Sequence, residues 1–314
     1  MFSRDDKERL ALIRQYEETV GDEGIRKARV NDHSRRRPIQ CGLTVHPGND
    51  CAYSCTYCYI PDMGFRFRKP KPCELTPEQL VLSLLLNPGF VPGRHGTYIA
   101  IGSVVEPFQP ELKLLTMNYI KELAKLGNPI QFSSKSFLSG AEAESLSSSC
   151  KWLSPLITIL TLEESKARVL EPIAPTTRER LETISNLTEA GLKPFLFLRP
   201  ILPGIITMKE NERLIDECIE HGAEGVVLGN FRVTRRIVES MRKKNLDLSE
   251  ILKRAPTVDE KQRAIYVSDI QRKIEQQFGK KTRVFRRSCC ASAYCADLEK
   301  CAHELTLVNR SIRR

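Results

Sequence analysis

Hydrophobic positions along the chain change their spacing repeatedly from residue 41 onward. Short apolar runs predict strands at 41–45, 97–102, 130–134, 156–162, 194–199 and 225–228. Between them, apolar residues three and four positions apart predict helices at 76–86, 111–126, 177–190 and 210–221. Alternating strands and helices indicate a parallel sheet with crossover helices. About six such units fit, two short of the eight that close a (β/α)8 barrel, so the pattern predicts an open, partial barrel.

Two flanking segments differ from this pattern. Residues 1–40 are charged and amphipathic, with Leu10, Ile13 and Tyr16 at helical spacing, and predict an N-terminal helical extension. Residues 236–314 predict a charged helical stretch followed by a small cysteine-rich module. We therefore predict an α/β protein in which a partial (β/α)6 barrel spans 41–235 and both flanks are appended to it.

Composition indicates where the protein is located and which partners it attracts. No apolar run reaches the ~18 residues of a membrane span, and the N-terminus lacks the apolar core of a secretory signal. We therefore expect a cytoplasmic protein without a membrane partner. The formal charge of +10 predicts attraction to nucleic acid, acidic proteins or anionic cofactors.

The eleven cysteines indicate metal or redox chemistry, because a reducing compartment disfavours disulfides. Three fall within 51–58 and four within 289–301. Cys150 and Cys218 are typical of small buried hydrophobic residues. The sequence assigns no role to Cys41, Cys73 or Cys289.

The first cysteine cluster occupies residues 51–58, with the letters CAYSCTYC. The thiolates of Cys51, Cys55 and Cys58 can ligate three irons of a [4Fe–4S] cubane and leave the fourth iron open. Zinc is the alternative, but it normally takes four protein ligands. The CxxxCxxC loop, with the aromatic Tyr57 before its last cysteine, resembles the radical S-adenosylmethionine (SAM) superfamily. The resemblance implies that the open iron binds SAM, which reductive cleavage converts to methionine and a 5′-deoxyadenosyl radical.

Two later motifs extend this resemblance. Residues 101–110 (IGSVVEPFQP) resemble the glycine-rich segment that meets the SAM amino group, and imply contacts from Gly102 and Ser103. Ser134 and Lys135, after the third strand, correspond to the expected ribose or carboxylate contacts. The alternative roles are a simple turn for Gly102 and a solvated charge for Lys135.

A third motif, LEPIAP at 170–175, precedes Arg180. The resemblance makes Arg180 a candidate to bind the SAM carboxylate through its guanidinium. The alternative is an ion pair with a glutamate of its own helix. These motifs together resemble the spore photoproduct lyase-like branch of the superfamily over residues 41–230.

The second cysteine cluster has the spacing CX4CX5C, counted from Cys290 through Cys295 to Cys301. Three thiolates at this spacing predict a second [4Fe–4S] cluster. The alternative is a structural zinc ion with Cys289 or His303 as fourth ligand.

CX4CX5C also resembles the auxiliary-cluster motif of lipoyl synthases. The resemblance implies that the second cluster donates sulfur, with the serine of an Arg-Ser pair as a displaceable ligand. Ser311 is the first candidate for that serine and Ser288 the second. Here the motif follows the barrel, which resembles the two-protein lipoyl synthases found mainly in archaea.

This resemblance implies a sulfurtransferase that acts on C6 or C8 of an octanoyl chain on a lipoyl carrier protein. The implied partners are the carrier, a second radical SAM synthase, an electron donor and iron–sulfur assembly proteins. Carrier domains of this kind are usually acidic, which the positive charge would complement.

Two other classes remain as alternatives. One is a radical SAM enzyme that repairs nucleic acid or modifies RNA. The lyase-like motifs and the positive charge support this alternative. No aromatic RNA-binding pattern supports it. The other is a non-catalytic iron–sulfur or zinc-binding regulator, against which the SAM-side motifs argue.

Overall fold

The protein is described by a computed structural model that covers residues 4–39, 42–299 and 301. The strands are β1 (Leu43–Val45), β2 (Gly48–Asn49), β3 (Lys71–Pro72), β4 (Ile99–Ile101), β5 (Ile130–Ser134), β6 (Leu153–Ile157), β7 (Phe195–Leu198), β8 (Gly225–Leu228), β9 (Phe231–Val233), β10 (Arg263–Ile265) and β11 (Arg283–Phe285). The helices are α1 (Arg4–Val30), α2 (Pro77–Leu86), α3 (Lys113–Ala124), α4 (Gly140–Ser149), α5 (Glu164–Leu170), α6 (Thr177–Glu189), α7 (Met208–Glu220), α8 (Arg235–Arg242), α9 (Ser249–Arg254), α10 (Ser268–Phe278) and α11 (Ser288–Cys295).

A seven-stranded parallel sheet organises the fold, in the order β1-β4-β5-β6-β7-β8-β11. Its first six strands are the six that the sequence predicts, which confirms the α/β class and the partial barrel. The seventh, β11, comes from the 236–314 segment and pairs with β8. Its three residues, Arg-Val-Phe, are too short a run for the hydrophobic pattern to reveal.

The two faces of this sheet differ in chemistry. Side chains that alternate along each strand, such as Ile130 and Phe132 of β5, join the main apolar core with the helices. Their neighbours Gln131 and Ser133 point to the other face and line a cavity. The strands therefore bury an apolar face against helices and enclose a partly polar interior.

Helix α11 fills the amino-terminal half of this interior. Ala291 and Cys295 pack against Leu156, Phe195 and Val227, which are inward-facing residues of β6, β7 and β8.

The two ends of α11 lie toward opposite ends of the barrel. Tyr294 donates a hydrogen bond to Glu224, just before β8, and the Arg94 side chain donates to the Ala296 carbonyl at 2.9 Å. At the other end, Ser288 lines the cavity at the carboxyl half of the barrel. The helix thus runs antiparallel to the strands and closes the amino-terminal end of the barrel.

One long helix, α1, forms most of the N-terminal extension that the sequence predicts over residues 1–40. Helix α1 continues to Val30, with a break at Gly21, where φ is +66°. It packs on α2, and its Tyr16 hydroxyl donates to Glu122 at 2.8 Å. Among residues 4–39, 42–299 and 301, no helix combines the length and apolar character that a membrane crossing requires.

Gly42 allows strand β1 to start next to β4, and this contact gives a test of the fold. Its φ is +111°, and an added Cβ would lie 2.1 Å from the Tyr98 carbonyl oxygen. We expect Gly42→Ala to lower the free energy of unfolding by at least ~3 kcal/mol, because strain and a backbone clash add. Urea-induced unfolding followed by circular dichroism measures the loss.

Gly191→Ala is the matched control. Gly191 also has a positive φ, +81°, but no atom lies within 4 Å of the added Cβ. Strain alone costs about 1–2 kcal/mol there. Equal losses in the two variants would contradict the close approach of Gly42 to Tyr98.

Candidate active site

The first cysteine cluster lies on a loop after β1, at the carboxyl ends of the strands. Cys51, Cys55 and Cys58 all line one cavity of about 350 Å³. Asp50 and Ser54 have positive φ values of 68° and 54°, which turn the loop back on itself. The sequence predicts this grouping, and the structure brings the three thiols into one cavity.

Hydrogen bonds hold the loop from both sides. The Gln109 side-chain oxygen accepts a hydrogen bond from the Ala52 N–H at 2.9 Å. The Nε2 of the same side chain donates to the Cys51 sulfur at 3.6 Å. Arg236 donates to the Cys58 carbonyl and to Asp62. These contacts fix the thiol positions before any ligand arrives.

Burial raises the pKa of the Cys51, Cys55 and Cys58 thiols above the usual cysteine range. A buried thiol without a metal therefore holds its proton. Because thiolates are the form that binds metal, loading this site releases protons.

A buried ion pair contacts the cysteine loop through Tyr57. Glu171 and Arg180 are 2% and 1% exposed and form a salt bridge. Glu171 also accepts a hydrogen bond from the Tyr57 hydroxyl. Burial alone would raise the pKa of Glu171, but the cations Arg180 and Lys135 hold that pKa below its usual range.

Arg180 therefore has a role that the resemblance does not imply. Besides Glu171, its guanidinium donates to the Thr158 carbonyl at 3.1 Å and to the Pro175 carbonyl at 2.9 Å. It does not line the cavity. The guanidinium is engaged by protein oxygens and positions Tyr57 through Glu171, and the expected contact with the SAM carboxylate stays a prediction. Nor is its partner on its own helix, since Glu171 precedes α6.

A second buried carboxylate, Glu106, organises the end of β5. It accepts hydrogen bonds from the Ser134 hydroxyl at 2.5 Å, the Ser136 hydroxyl at 3.1 Å and the Lys135 N–H at 2.9 Å. Ser134 lines the cavity, as do Gly102 and Ser103. Gly102 has a φ of +96°, and an added Cβ would lie 2.5 Å from the Ser133 carbonyl oxygen, so the backbone requires glycine here.

Lys135 presents an ammonium group to the cavity. Its Nζ lies 6.0 Å from the centre of the Tyr57 ring and has no hydrogen-bond or ion-pair partner among the residues that the structure describes. Burial alone would lower the pKa of Lys135, but electrostatic interactions with Cys55, Glu171 and Glu106 raise it above the usual lysine range. The cavity thus contains a cation that is free to meet an anionic ligand.

Sequence reasoning missed Glu106 and Glu171 as site residues, although both lie in motifs that it singled out. The available signal was a carboxylate among apolar and proline residues, which needs polar partners if it is buried. It also missed Thr158, Phe197 and Arg199, which line the cavity from later strands.

The second cysteine cluster is arranged differently from its motif. The sulfurs of Cys289, Cys290 and Cys301 all lie within 4.8 Å of one another. Cys295 lies apart from them, and its sulfur is 3.7 Å from the Lys193 carbonyl. Of the predicted set of Cys290, Cys295 and Cys301, the structure thus brings two members together with Cys289 and places Cys295 apart.

The reason is helical geometry. Cys290 and Cys295 both lie within α11, and residues five apart on an α-helix point about 140° away from each other. The predicted cluster would need a loop where the chain forms a helix.

The remaining cysteines and serines lie as follows. Cys150 and Cys218 are buried as predicted, and Cys73 packs beside the core outside both thiol groups. Ser288 is buried and lines the cavity. Ser311, Cys41 and His303 fall outside the described residues.

Comparison with known proteins decides the family. The model of the radical SAM superfamily matches residues 45–228, more than half of the chain. The chain belongs to the radical SAM superfamily. Membership implies a [4Fe–4S] cluster and SAM as cofactors.

The curated relatives of this radical SAM protein are distant. ORF301 of Acidianus two-tailed virus is 24% identical over 175 residues, covering 53% of this chain and 58% of the relative. MJ0683 of Methanocaldococcus jannaschii is 26% identical over 164 residues, covering 51% and 60%. The aligned region thus spans about three fifths of these two relatives, and both are described as uncharacterized.

Solved structures share the fold. Spore photoproduct lyase with bound AdoMet and dinucleoside spore photoproduct has a TM-score of 0.58 at 14% identity, covering 84% of this chain and 85% of that one. SuiB of Streptococcus suis bound to SAM has a TM-score of 0.54 at 14% identity, covering 97% and 61%.

The residues present fit the cofactors of the family. Three thiols on one loop supply a soft donor set with no fourth cysteine among the described residues of the cavity lining, which suits a cubane with one open iron. Lys135 supplies an unpaired cation for a carboxylate. Gly102 and Ser103 present backbone to the same cavity.

The unpaired Lys135 gives a prediction on cofactor binding. Lys135→Met keeps the length of the side chain and removes its charge. We expect SAM affinity to fall about 10-fold or more, the cost of one charge-assisted hydrogen bond. Equilibrium dialysis of SAM with the anaerobically reconstituted protein measures this loss.

Lys209→Met is the control, because Lys209 is an exposed residue at the start of α7. Iron content must stay equal in both variants. Unchanged SAM affinity in Lys135→Met, with iron retained, would show that the ammonium does not meet the ligand.

The Glu171–Arg180 pair gives a prediction on stability. Glu171→Gln leaves a buried guanidinium without its counter-charge, and we expect a loss of about 3–5 kcal/mol of unfolding free energy. Glu182→Gln, on the exposed side of α6, should change it by less than ~0.5 kcal/mol. Urea unfolding at pH 7 measures both.

The pH dependence of this loss has a defined sign. The folded-state pKa of Glu171 lies below its unfolded value of about 4.3, so its stabilisation is present above that pH and is lost on acidification. The gap between Glu171→Gln and the unsubstituted protein should therefore narrow as the pH falls below about 4. A constant gap would contradict the ion pair as its cause.

Proposed function

We propose that this protein is a sulfur-inserting radical SAM enzyme, a lipoyl synthase component that acts on an octanoyl chain carried by a lipoyl carrier protein. The observation that carries the proposal is the position of Ser288. Ser288 is the first residue of α11, and it lines the same cavity as Cys51, Cys55 and Cys58. A substrate in that cavity would lie between the SAM-binding loop and the second thiol group.

The cavity lining suits an acyl chain. Its apolar residues include Ile39, Val105, Phe197 and Phe231, contributed by separate parts of the fold. An extended hydrocarbon chain has no polar group to satisfy, so it would lie along these apolar residues.

The charge of the lining suits a carrier protein with an acidic surface. Arg199 and Arg232 line the cavity and are both exposed. Arg232 also lies 5.7 Å from the ring centre of Tyr59. Complementary charges of this kind steer association and fix orientation.

The chain's own residues would hold the reaction in place. When bound, the first cluster and SAM together supply, for one external electron, a radical that takes one hydrogen atom from a C–H bond of the chain, with methionine and 5′-deoxyadenosine as products. Lys135 and the backbone of Gly102 and Ser103 would orient SAM, and α11 excludes water from below.

The sulfur donor is a substrate of this reaction rather than a permanent cofactor. A sulfide held by the second thiol group forms one C–S bond to the substrate carbon. The electron that the carbon gives up reduces iron of the same centre, and a proton from water completes the thiol. Cys290 and Cys301 belong both to the predicted ligand set and to the thiol group of the structure.

A second candidate is an enzyme that acts on nucleic acid. The fold is shared with spore photoproduct lyase, and the net charge is +10. Exposed Arg199 and Arg232 beside Tyr59 would also suit a phosphate backbone with a stacked base.

One experiment separates the two candidates. The protein is reconstituted anaerobically, its iron and sulfide are counted, and it is incubated with SAM, dithionite and an octanoyl-lysine peptide of a carrier domain. We expect about eight irons, two cubanes of four. We also expect 5′-deoxyadenosine and a peptide that has gained sulfur, both detected by mass spectrometry.

Variants identify the source of each product. Cys55→Ala should abolish 5′-deoxyadenosine, whereas Cys301→Ala should retain it and lose only the sulfur-bearing peptide. A mono-thiolated peptide is tested in parallel, because the partner synthase supplies it in the two-protein scheme. SAM cleavage with neither peptide modified would contradict the proposal, and salt-dependent binding of RNA or DNA would then favour the second candidate.

A further inference from the structure

We propose that Cys289, Cys290 and Cys301 bind a metal centre, of zinc or of iron and sulfide, from which Cys295 is excluded. The proposal does not depend on sulfur insertion or on the identity of the substrate. Its basis is the convergence of three sulfurs within 4.8 Å of one another.

The fold creates this convergence through a chain reversal. Asp297, just after α11, has a φ of +50°, and the Leu298 N–H donates back to the Ala293 carbonyl at 2.9 Å. Arg94 holds the reversal by donating to the carbonyls of Ala296 and Asp297. The chain after the helix thus returns along it, and Cys301 reaches the first turn.

The first turn of α11 favours thiolates. The helix dipole places partial positive charge there, next to Cys289 and Cys290. Negative sulfur ligands at this position would be stabilised by this charge.

The alternative is that these cysteines are only small buried hydrophobic residues. Cys289 and Cys301 are 0% and 7% exposed and pack with Tyr98, which is compatible with that role. Cys290 is half-buried, however, and three cysteines from two chain segments meet at one point. Convergent thiols are the donor set that zinc and iron–sulfur centres prefer.

Cys295 provides a control within the same helix. It is as buried as Cys301, at 7% exposure each. It faces Leu156 and Phe195 on the other side of α11, and its thiol is directed to the Lys193 carbonyl. A substitution there disturbs packing to a similar degree without touching the three convergent sulfurs.

The test starts from full-length protein in which Cys51, Cys55 and Cys58 are all changed to alanine. Metal in this background belongs to the second site. Iron, zinc and sulfide are measured after anaerobic purification and after reconstitution with each metal. We expect one bound centre in the background protein and at least about a 10-fold loss of metal affinity in C289S, C290S and C301S, because removal even of a supporting contact costs that much. C295S should keep full occupancy.

Cobalt(II) gives a second readout that reports ligands directly. Thiolate-to-cobalt charge-transfer absorption should weaken in C289S and stay unchanged in C295S. Circular dichroism and thermal unfolding of all variants identify any that fail to fold, and for these the corresponding alanine variant is measured instead.

The outcomes are distinct. Iron and sulfide that depend on Cys289 and Cys301 support both this site and sulfur insertion. Zinc with the same dependence supports the site and contradicts sulfur insertion. Metal that depends on Cys295 but not on Cys289, or no metal in the background protein, overturns the site.

Discussion

An open barrel of parallel strands must fill its own interior, and the rest of this structure depends on how that is done. Six strands predicted from the sequence and a seventh, β11, enclose a space that their inward side chains do not occupy fully. Helix α11 takes the amino-terminal half. What it leaves free is the cavity at the carboxyl ends, where the cysteine loop lies. The position of one short helix therefore defines both the depth of the active site and its floor.

Buried charges give this cavity its chemical character. Two carboxylates, Glu106 and Glu171, are each surrounded by donors from the protein, so neither is left to compete for an incoming ligand. The Lys135 ammonium is the opposite case, since its attraction to both carboxylates is electrostatic and it makes no hydrogen bond within the part of the chain that the structure describes. The site thus combines satisfied anions with an unsatisfied cation next to three thiols.

The strands, the cysteine loop and most cavity residues follow from local sequence patterns. Periodicity of two or 3.6 reports which face of an element is buried, and CxxxCxxC is a short motif within one loop. Arg180 and Cys295 could not be placed in this way, because their roles depend on contacts that only the folded chain creates. Arg180 meets a glutamate outside its helix, and Cys295 is rotated away from Cys290 by helix formation within the motif itself. Spacing in sequence predicts a shared ligand only when the intervening backbone is free to bend.

The order of elements along the chain has a consequence for biosynthesis. Every strand that α11 contacts, from β5 to β8 and β11, precedes it in the sequence. The strands and the cysteine loop leave the ribosome before α11 does, because synthesis starts at the amino terminus. Until α11 docks, any barrel that these strands form is a trough without a floor, whose cysteine loop is reachable from both ends. Emergence of α11 seals the lower entrance, and from then on whatever loads or repairs the loop must approach through the mouth.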